Sequence, residues 1–310
     1  MWKFIAKRLV AMVPVLLGVT LVIYLILNMA PGDPAKVILG EQATPEQIAE
    51  LREEMGLNDP VLVQYARYIF NLVQGDMGES YNSGLKCNVE IFARFPNTLR
   101  LTICAISLAV ILALPIGIVA AVKQNSIFDG VSMFIALIGL SMPVFWLGLL
   151  LILFFSLRLG WFPSSGADGW KSLVLPTVTL GFQQMASIAR VTRSSMLEVI
   201  RADYIRTARA KGVAESKVIT KHALKNALIP TVTVVGLQFG GMLGGSSVTE
   251  KVFNINGIGS YIVEKQYIPD IPVVLAGVVY ISFIISIMNL VIDILYAVID
   301  PRIKSRMKNY

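Results

Sequence analysis

A single histidine, His222, and two cysteines, Cys87 and Cys104, are all that this chain of 310 residues offers to metal or thiol chemistry. With one imidazole, a multi-histidine zinc, haem or triad site cannot be assembled within the chain. The two cysteines show no metal-ligand spacing and are too few for a disulfide framework, so both read as structurally incidental. The signatures of intramembrane enzymes (H-E-x-x-H, a G-x-S-x-G elbow, paired membrane aspartates) are missing. So is the G-x-x-x-x-G-K-[ST] loop that would cradle ATP phosphates. Gly257-Ile258-Gly259 lacks both a full dinucleotide fingerprint and a preceding strand, and reads as a turn. No catalytic residue, no metal and no cofactor bound by this chain is expected.

What remains is recognition and movement. Gln183, Gln184, Ser187, Gln238 and Asn289 lie inside apolar stretches, and polar groups there must face protein or water. They are candidates to line a path; hydrogen bonding between helices explains each equally well. Gly236, Gly240 and Gly244 recur at small-xxx-small spacing and predict close helix packing, within this subunit or against another. Asp293 is the one acid within an apolar run, about 21 residues into it, where pairing with a loop cation is expected rather than proton relay. The segment Tyr204–Gly212 is a short small-residue helix with a basic face, ended by glycine at a C-cap position. It could dock into a groove on another protein; a basic helix at the lipid headgroups is the alternative.

The elements that carry these residues belong in a bilayer. Hydrophobic residues make up 55% of the chain and charged ones 15%, against about 25% charged in soluble domains. The net charge of +7 does not indicate nucleic-acid binding, because the basic residues sit between long apolar runs instead of on a soluble face. Uncharged stretches cover 9–30, 101–122, 130–157, 172–189, 226–249 and 271–292, each near or above the roughly 20 residues that span hydrocarbon. They predict six transmembrane helices in an all-α fold. The fourth is the weakest, being short and carrying Pro176, Gln183 and Gln184. The first exceeds a signal-peptide core and is followed by Pro31, so it reads as an uncleaved anchor.

Charge sets the expected orientation. Lys3, Lys7 and Arg8 precede the first stretch, and Arg302, Lys304, Arg306 and Lys308 follow the last. Residues 190–225 carry nine lysines or arginines against Glu198, Asp203 and Glu215. The positive-inside rule therefore places both termini and this loop in the cytoplasm. Residues 31–100, with six basic and ten acidic positions, face outward. Within them Thr44, Pro45 and Gln47 predict a capped helix over 45–55 ending at Gly56, and Val61, Tyr65, Tyr68, Ile69 and Leu72 predict a second helix after Pro60. Together they would form an external cap or a lateral membrane-surface element.

The run Arg206-Thr207-Ala208-Arg209-Ala210-Lys211-Gly212, followed by His222 to Pro230, resembles the cytoplasmic EAA loop of permeases from binding-protein-dependent ABC importers. Gly212 and Ala208 match that motif, whereas its glutamate is Arg206 here, the neighbouring alanine is Thr207, and the expected Leu-Pro reads Leu224-Lys225. These departures, Pro31-Gly32-Asp33-Pro34 after the first stretch, and Glu250 to Phe253 leading to Asn256 and Gly259 resemble the peptide and nickel branch (DppB/OppB-like). The resemblance implies a type I importer permease in the cell membrane of a prokaryote, moving dipeptides or oligopeptides, with nickel or glutathione as alternatives. It implies an N-terminal unit 1–96, a core permease unit 97–299 holding the loop 190–226, and a basic tail 300–310. Implied partners are a second homologous permease, two ATP-binding subunits that carry ATP and Mg, and an extracytoplasmic substrate-binding protein, with residues 206–212 coupling to the ATPases. A proton-coupled secondary transporter would usually show several buried acids or inverted repeats, and neither is found.

Overall fold

The computed structural model describes residues 2–29, 32–40, 42–267 and 270–299. The basic tail with Arg302, Lys304, Arg306 and Lys308, and Pro31 of the proline-rich turn, lie outside the described residues. Fourteen helices follow in order among the described residues: α1 Trp2–Met29, α2 Pro34–Leu39, α3 Pro45–Glu54, α4 Val61–Val73, α5 Cys87–Val122, α6 Ile127–Ser141 and α7 Val144–Leu151. Then come α8 Trp170–Ile200, α9 Asp203–Ala210, α10 Glu215–Lys217, α11 Leu224–Gly245, α12 Ser247–Val252, α13 Ile258–Tyr267 and α14 Ile271–Ile299. α7 continues into a π-helical turn, Ile152–Arg158, and a second π-helical turn, Val218–Ala223, joins α10 to α11.

The helices expected over 45–55 and after Pro60 are α3 and α4, and a short helix that the sequence pattern did not predict, α2, precedes them. Thr44 caps α3 reciprocally with Gln47, and Pro45 occupies the first helical turn. Gly56 ends the segment at φ +65°, a conformation side chains resist. Asp33 caps α2 and also takes a hydrogen bond of 2.9 Å from Arg52, tying α2 to α3.

α1 from Phe4, α5, α14, and α11 with its lead-in from Glu215 are each long and apolar enough to cross a membrane. The stretch 130–157 departs from the single helix its composition predicts. α6 and the α7 limb meet at an angle of 103°. Pro143 supplies no backbone N–H and clashes with a helical predecessor, so Met142 turns to φ −77°, ψ 126° and the helix stops. The stretch 172–189 lies within α8, which at 31 residues is about 46 Å long.

α5 and α8 form the most extensive helix pair. α5 presents a small residue every fourth position, Ala105, Ala109, Ala113, Gly117 and Ala121, along one buried edge, which lets the backbones approach. A Cβ on Gly117 would stand 2.7 Å from the Ala189 carbonyl oxygen and from Thr192. Gly117→Ala should therefore push the pair apart at a cost of about 1–3 kcal/mol. A melting temperature within a degree of wild type in detergent would show that the helices are not so closely held.

The glycine row of α11 faces the chain's own α14. A Cβ on Gly236 would meet Ile292 at 2.3 Å, one on Gly240 would lie 3.7 Å from Ile285, and one on Gly244 would lie 3.4 Å from Ile281. Asp293 pairs with Arg8 at 3.1 Å. The cation comes from the N-terminal cluster and not from a loop, because α1 packs along α14 and brings Arg8 to its far end.

Candidate coupling surface and transport cavity

α9 sits on the chain by one face and shows the other. Ile205 is fully buried and Ala208 is 9% exposed; they join a cluster with Ala121 of α5, Met196 of α8, and Val218 and Ala223 of the π-helical turn. Arg206, Thr207, Arg209, Ala210, Lys211 and Gly212 are exposed. Of the seven residues singled out by resemblance, Ala208 thus turns inward and seats the helix while the other six are presented. The spacing of Ile205 and Ala208, three apart on one helix face, was the sequence signal for this division.

The presented face is held in shape. Asp203 in the first turn and Arg209 in the last complement the helix dipole. Arg209 donates to both carboxylate oxygens of Glu215, at 3.0 and 2.6 Å, and these bonds raise the Arg209 pKa above its ordinary value. Gly212 turns the chain at φ +74° with its N–H on the Arg209 carbonyl at 2.9 Å. Asn226 of α11 donates to the Tyr204 hydroxyl at 2.8 Å, and Arg201 to Gln124 at 3.1 Å. A basic, small-residue surface is therefore fixed to the ends of α5, α8 and α11.

Farther along α8 and α11 a cavity of about 430 Å³ opens beside the α6–α7 elbow, lined by Val144, Phe145, Gln183, Gln184, Gln238 and Thr249 among others. The Gln184 Oε1 and Thr249 Oγ1 atoms are buried with no hydrogen-bond partner among the described residues. Gln238 donates to Ser187 at 3.2 Å. The structure thus gathers Gln183, Gln184, Gln238 and, through Gln238, Ser187. Asn289 is exposed on α14 and takes no part in this cavity. Uncharged amides and a hydroxyl can both donate to and accept from a peptide backbone without fixing one side chain.

The burial of several acids was not read from the sequence, since each has a partner far along the chain. Glu250 is fully buried and accepts from the hydroxyls of Thr98 and Ser246 at 2.7 and 2.8 Å and from the Ser260 N–H at 2.7 Å. Gly257 makes room for it, because a Cβ there would lie 2.3 Å from the carboxyl carbon. Of Gly257-Ile258-Gly259, expected to be a turn, Ile258 and Gly259 instead open α13, and Gly257 before them is the packing seat of that carboxylate. Asp129 of α6 receives a two-pronged bond from Arg193 of α8, the second prong at 2.6 Å. Asp270 accepts from Ser80, the Tyr81 N–H and Asn82. Glu90 accepts from the Tyr261 hydroxyl at 2.7 Å; burial first, and then this bond, raise the Tyr261 pKa. An acid beside an apolar stretch with an opposite charge past the next one, as Asp129 and Arg193 are, was the only available hint.

Residues 113–305 match the family described as "Binding-protein-dependent transport system inner membrane component", and residues 1–102 match its N-terminal region. The chain is 46% identical to the dipeptide transport system permease protein DppB of Alkalihalophilus pseudofirmus, with 98% of this chain and all of the relative covered. It is also 46% identical to the glutathione transport system permease protein GsiC of Escherichia coli strain K12, over 98% and 99% of the two chains. Among solved structures, the MetNI methionine ABC transporter in an inward-facing conformation matches at a TM-score of 0.57 and 21% identity, covering 68% of this chain and 96% of that one. An amino acid ABC transporter matches at 0.51 and 16%. These likenesses show the fold to be that of a type I ABC importer permease. The chain belongs to the binding-protein-dependent transport system inner membrane component family.

Proposed function

We propose that this chain is one of two permease subunits of a peptide importer, and that α9 is the element gripped by an ATP-binding subunit. The observation that carries this reading is the division of α9 into a seated apolar face and a presented basic one. Contacts within the chain hold α9 in place, and the exposure of its basic, small-residue face is best accounted for by a partner. In this reading the chain crosses the membrane six times, with both termini and the loop 190–226 in the cytoplasm. Four helices are long and apolar enough to cross on their own, the bent α6–α7 pair would make a fifth crossing, and α8, which does not pass by length and composition, would be the sixth. Two ATP-binding subunits carrying ATP and Mg complete the assembly, together with a substrate-binding protein on the outer side, the one partner that the family description itself names.

The substrate of the proposal is a short peptide. Relatives named for a dipeptide and for glutathione, itself a tripeptide, are equally similar, and the amide-lined cavity suits backbone recognition. The test is ATP-dependent uptake in proteoliposomes holding the assembled complex, with labelled dipeptide and labelled glutathione offered separately. Gln184→Leu with Gln238→Leu should lower uptake of the true substrate at least tenfold while leaving the ATPase subunits bound. Uptake of neither compound, or full uptake by the double variant, would remove the peptide reading or the cavity from it, respectively.

A further inference from the structure

Two cavities on the α1 side of the molecule, neither of which serves the transport cavity, adjoin at a shared lining residue. The upper, about 680 Å³, lies between α1, α3, α4, the loop 77–84 and the start of α14; its rim includes Tyr24, Glu54, Arg67, Tyr68 and Glu79. The lower, about 280 Å³, shows only apolar surface; Leu16, Leu17, Ile69, Val279 and Phe283 line it, along with Thr20 and Tyr280. Met77 belongs to both. On α1 the lining passes from Asn28 and Tyr24 to Thr20 and Leu16, and on α14 from Ile271 to Phe283. At 1.5 Å per residue these stripes descend about 18 Å, from the end of each helix well into the hydrocarbon.

Polarity changes along this descent as it does along a phospholipid. In the slot the one polar side chain on α1, Thr20, spends its hydroxyl on Leu17 O and Tyr65, which leaves only apolar surface to a visitor. At the rim the Tyr68 hydroxyl is buried without a partner among the described residues. Arg67 is paired with Asp59, so with Glu54 and Glu79 the rim is negative overall, and an anionic headgroup would be repelled. α1 itself is scarcely covered by protein, with 6% of its most apolar window buried, so lipid already surrounds the entrance. α4 carries Leu62, Phe70 and Val73 exposed on its flank, the pattern of a helix lying in a membrane interface.

We infer that the groove between α1, α4 and α14 holds one zwitterionic aminophospholipid, its acyl chain in the lower slot and its headgroup at the rim. The phosphate would face the Tyr68 hydroxyl and those Arg67 N–H groups that bond to no other group among the described residues, and the ammonium Glu54 and Glu79. The site lies apart from the transport cavity and does not depend on the peptide reading.

The test uses the full-length chain with the subunits that accompany it, moved from nanodiscs of phosphatidylethanolamine and phosphatidylglycerol into detergent and weighed by native mass spectrometry. One phosphatidylethanolamine should remain per copy of this chain. Leu17→Trp, which fills the slot from a half-exposed position, should reduce retention at least tenfold. Ile111→Trp, on an exposed face of α5, should leave it unchanged. Tyr68→Phe, which removes one oxygen and no packing, should reduce retention several-fold and guards against a misfolded tryptophan variant. Absence of lipid from wild type, equal retention of phosphatidylglycerol, or indifference to both Leu17→Trp and Tyr68→Phe would each overturn the assignment. So would a photo-crosslinker at Leu72 that captures another polypeptide instead of lipid.

Discussion

Ala208→Glu is expected to strip the ATP-binding subunits from the detergent-purified complex, with at least tenfold less ATPase retained per permease. The alanine methyl lies against Met196, Val218 and the neighbouring small residues, and at 9% exposure there is no room for a carboxylate and little water to solvate one. Burying an unpaired charge costs several kcal/mol, more than an eight-residue helix can recover from its own hydrogen bonds. α9 would leave its seat. Gly212→Asp attacks the same contact from the other side. No atom lies within 4 Å of a Cβ built there, and aspartate tolerates positive φ better than most residues, so this variant should melt near wild type and still lose its ATPases. Undiminished ATPase retention in both variants would refute docking through α9.

Removal of the Glu250 carboxylate should have the larger effect on stability. Glu250→Ala abandons the hydroxyls of Thr98 and Ser246 and the Ser260 N–H in a region with no access to water, for a loss of about 3–5 kcal/mol. Glu250→Gln keeps an acceptor for the two hydroxyls on Oε1 but turns an amide toward the Ser260 N–H, so about 1–3 kcal/mol is expected. Thermal unfolding in detergent checks both. An Ala variant that melts within two degrees of wild type, or below which the Gln variant falls, would show that the network is not what joins α5, α12 and α13.

These expectations differ in how far the sequence could have supplied them. The capping of α3 by Thr44 and Gln47, the stop at Gly56 and the glycine turn at Gly212 are decided within four residues, and the one-dimensional pattern carries them. The apolar stretches carry α1, α5, α11 and α14 for the same reason. The elbow at Pro143 does not follow from composition, because a proline kinks some helices and breaks others, and here the limbs are held at 103° by what they pack on. Gln183 and Gln184 are conspicuous in an apolar run. Their meeting with Gln238 and Thr249 depends on how α8, α11 and α12 are placed together. Glu250 was least legible of all: it stands in what reads as a polar loop, while its partner Thr98 is 152 positions earlier.

The elbow also bears on how the chain is made. α6 holds 15 residues, and the limb beyond Pro143 is no longer, so each falls short of the roughly 20 that hold a nascent segment stably in lipid. Both limbs pack on α8, which the ribosome delivers only afterwards. The Asp129–Arg193 clasp that ties α6 to α8 is likewise out of reach until Arg193 has been synthesised. This stretch therefore reaches its final placement only once a later helix has arrived, a folding step that follows partitioning into lipid.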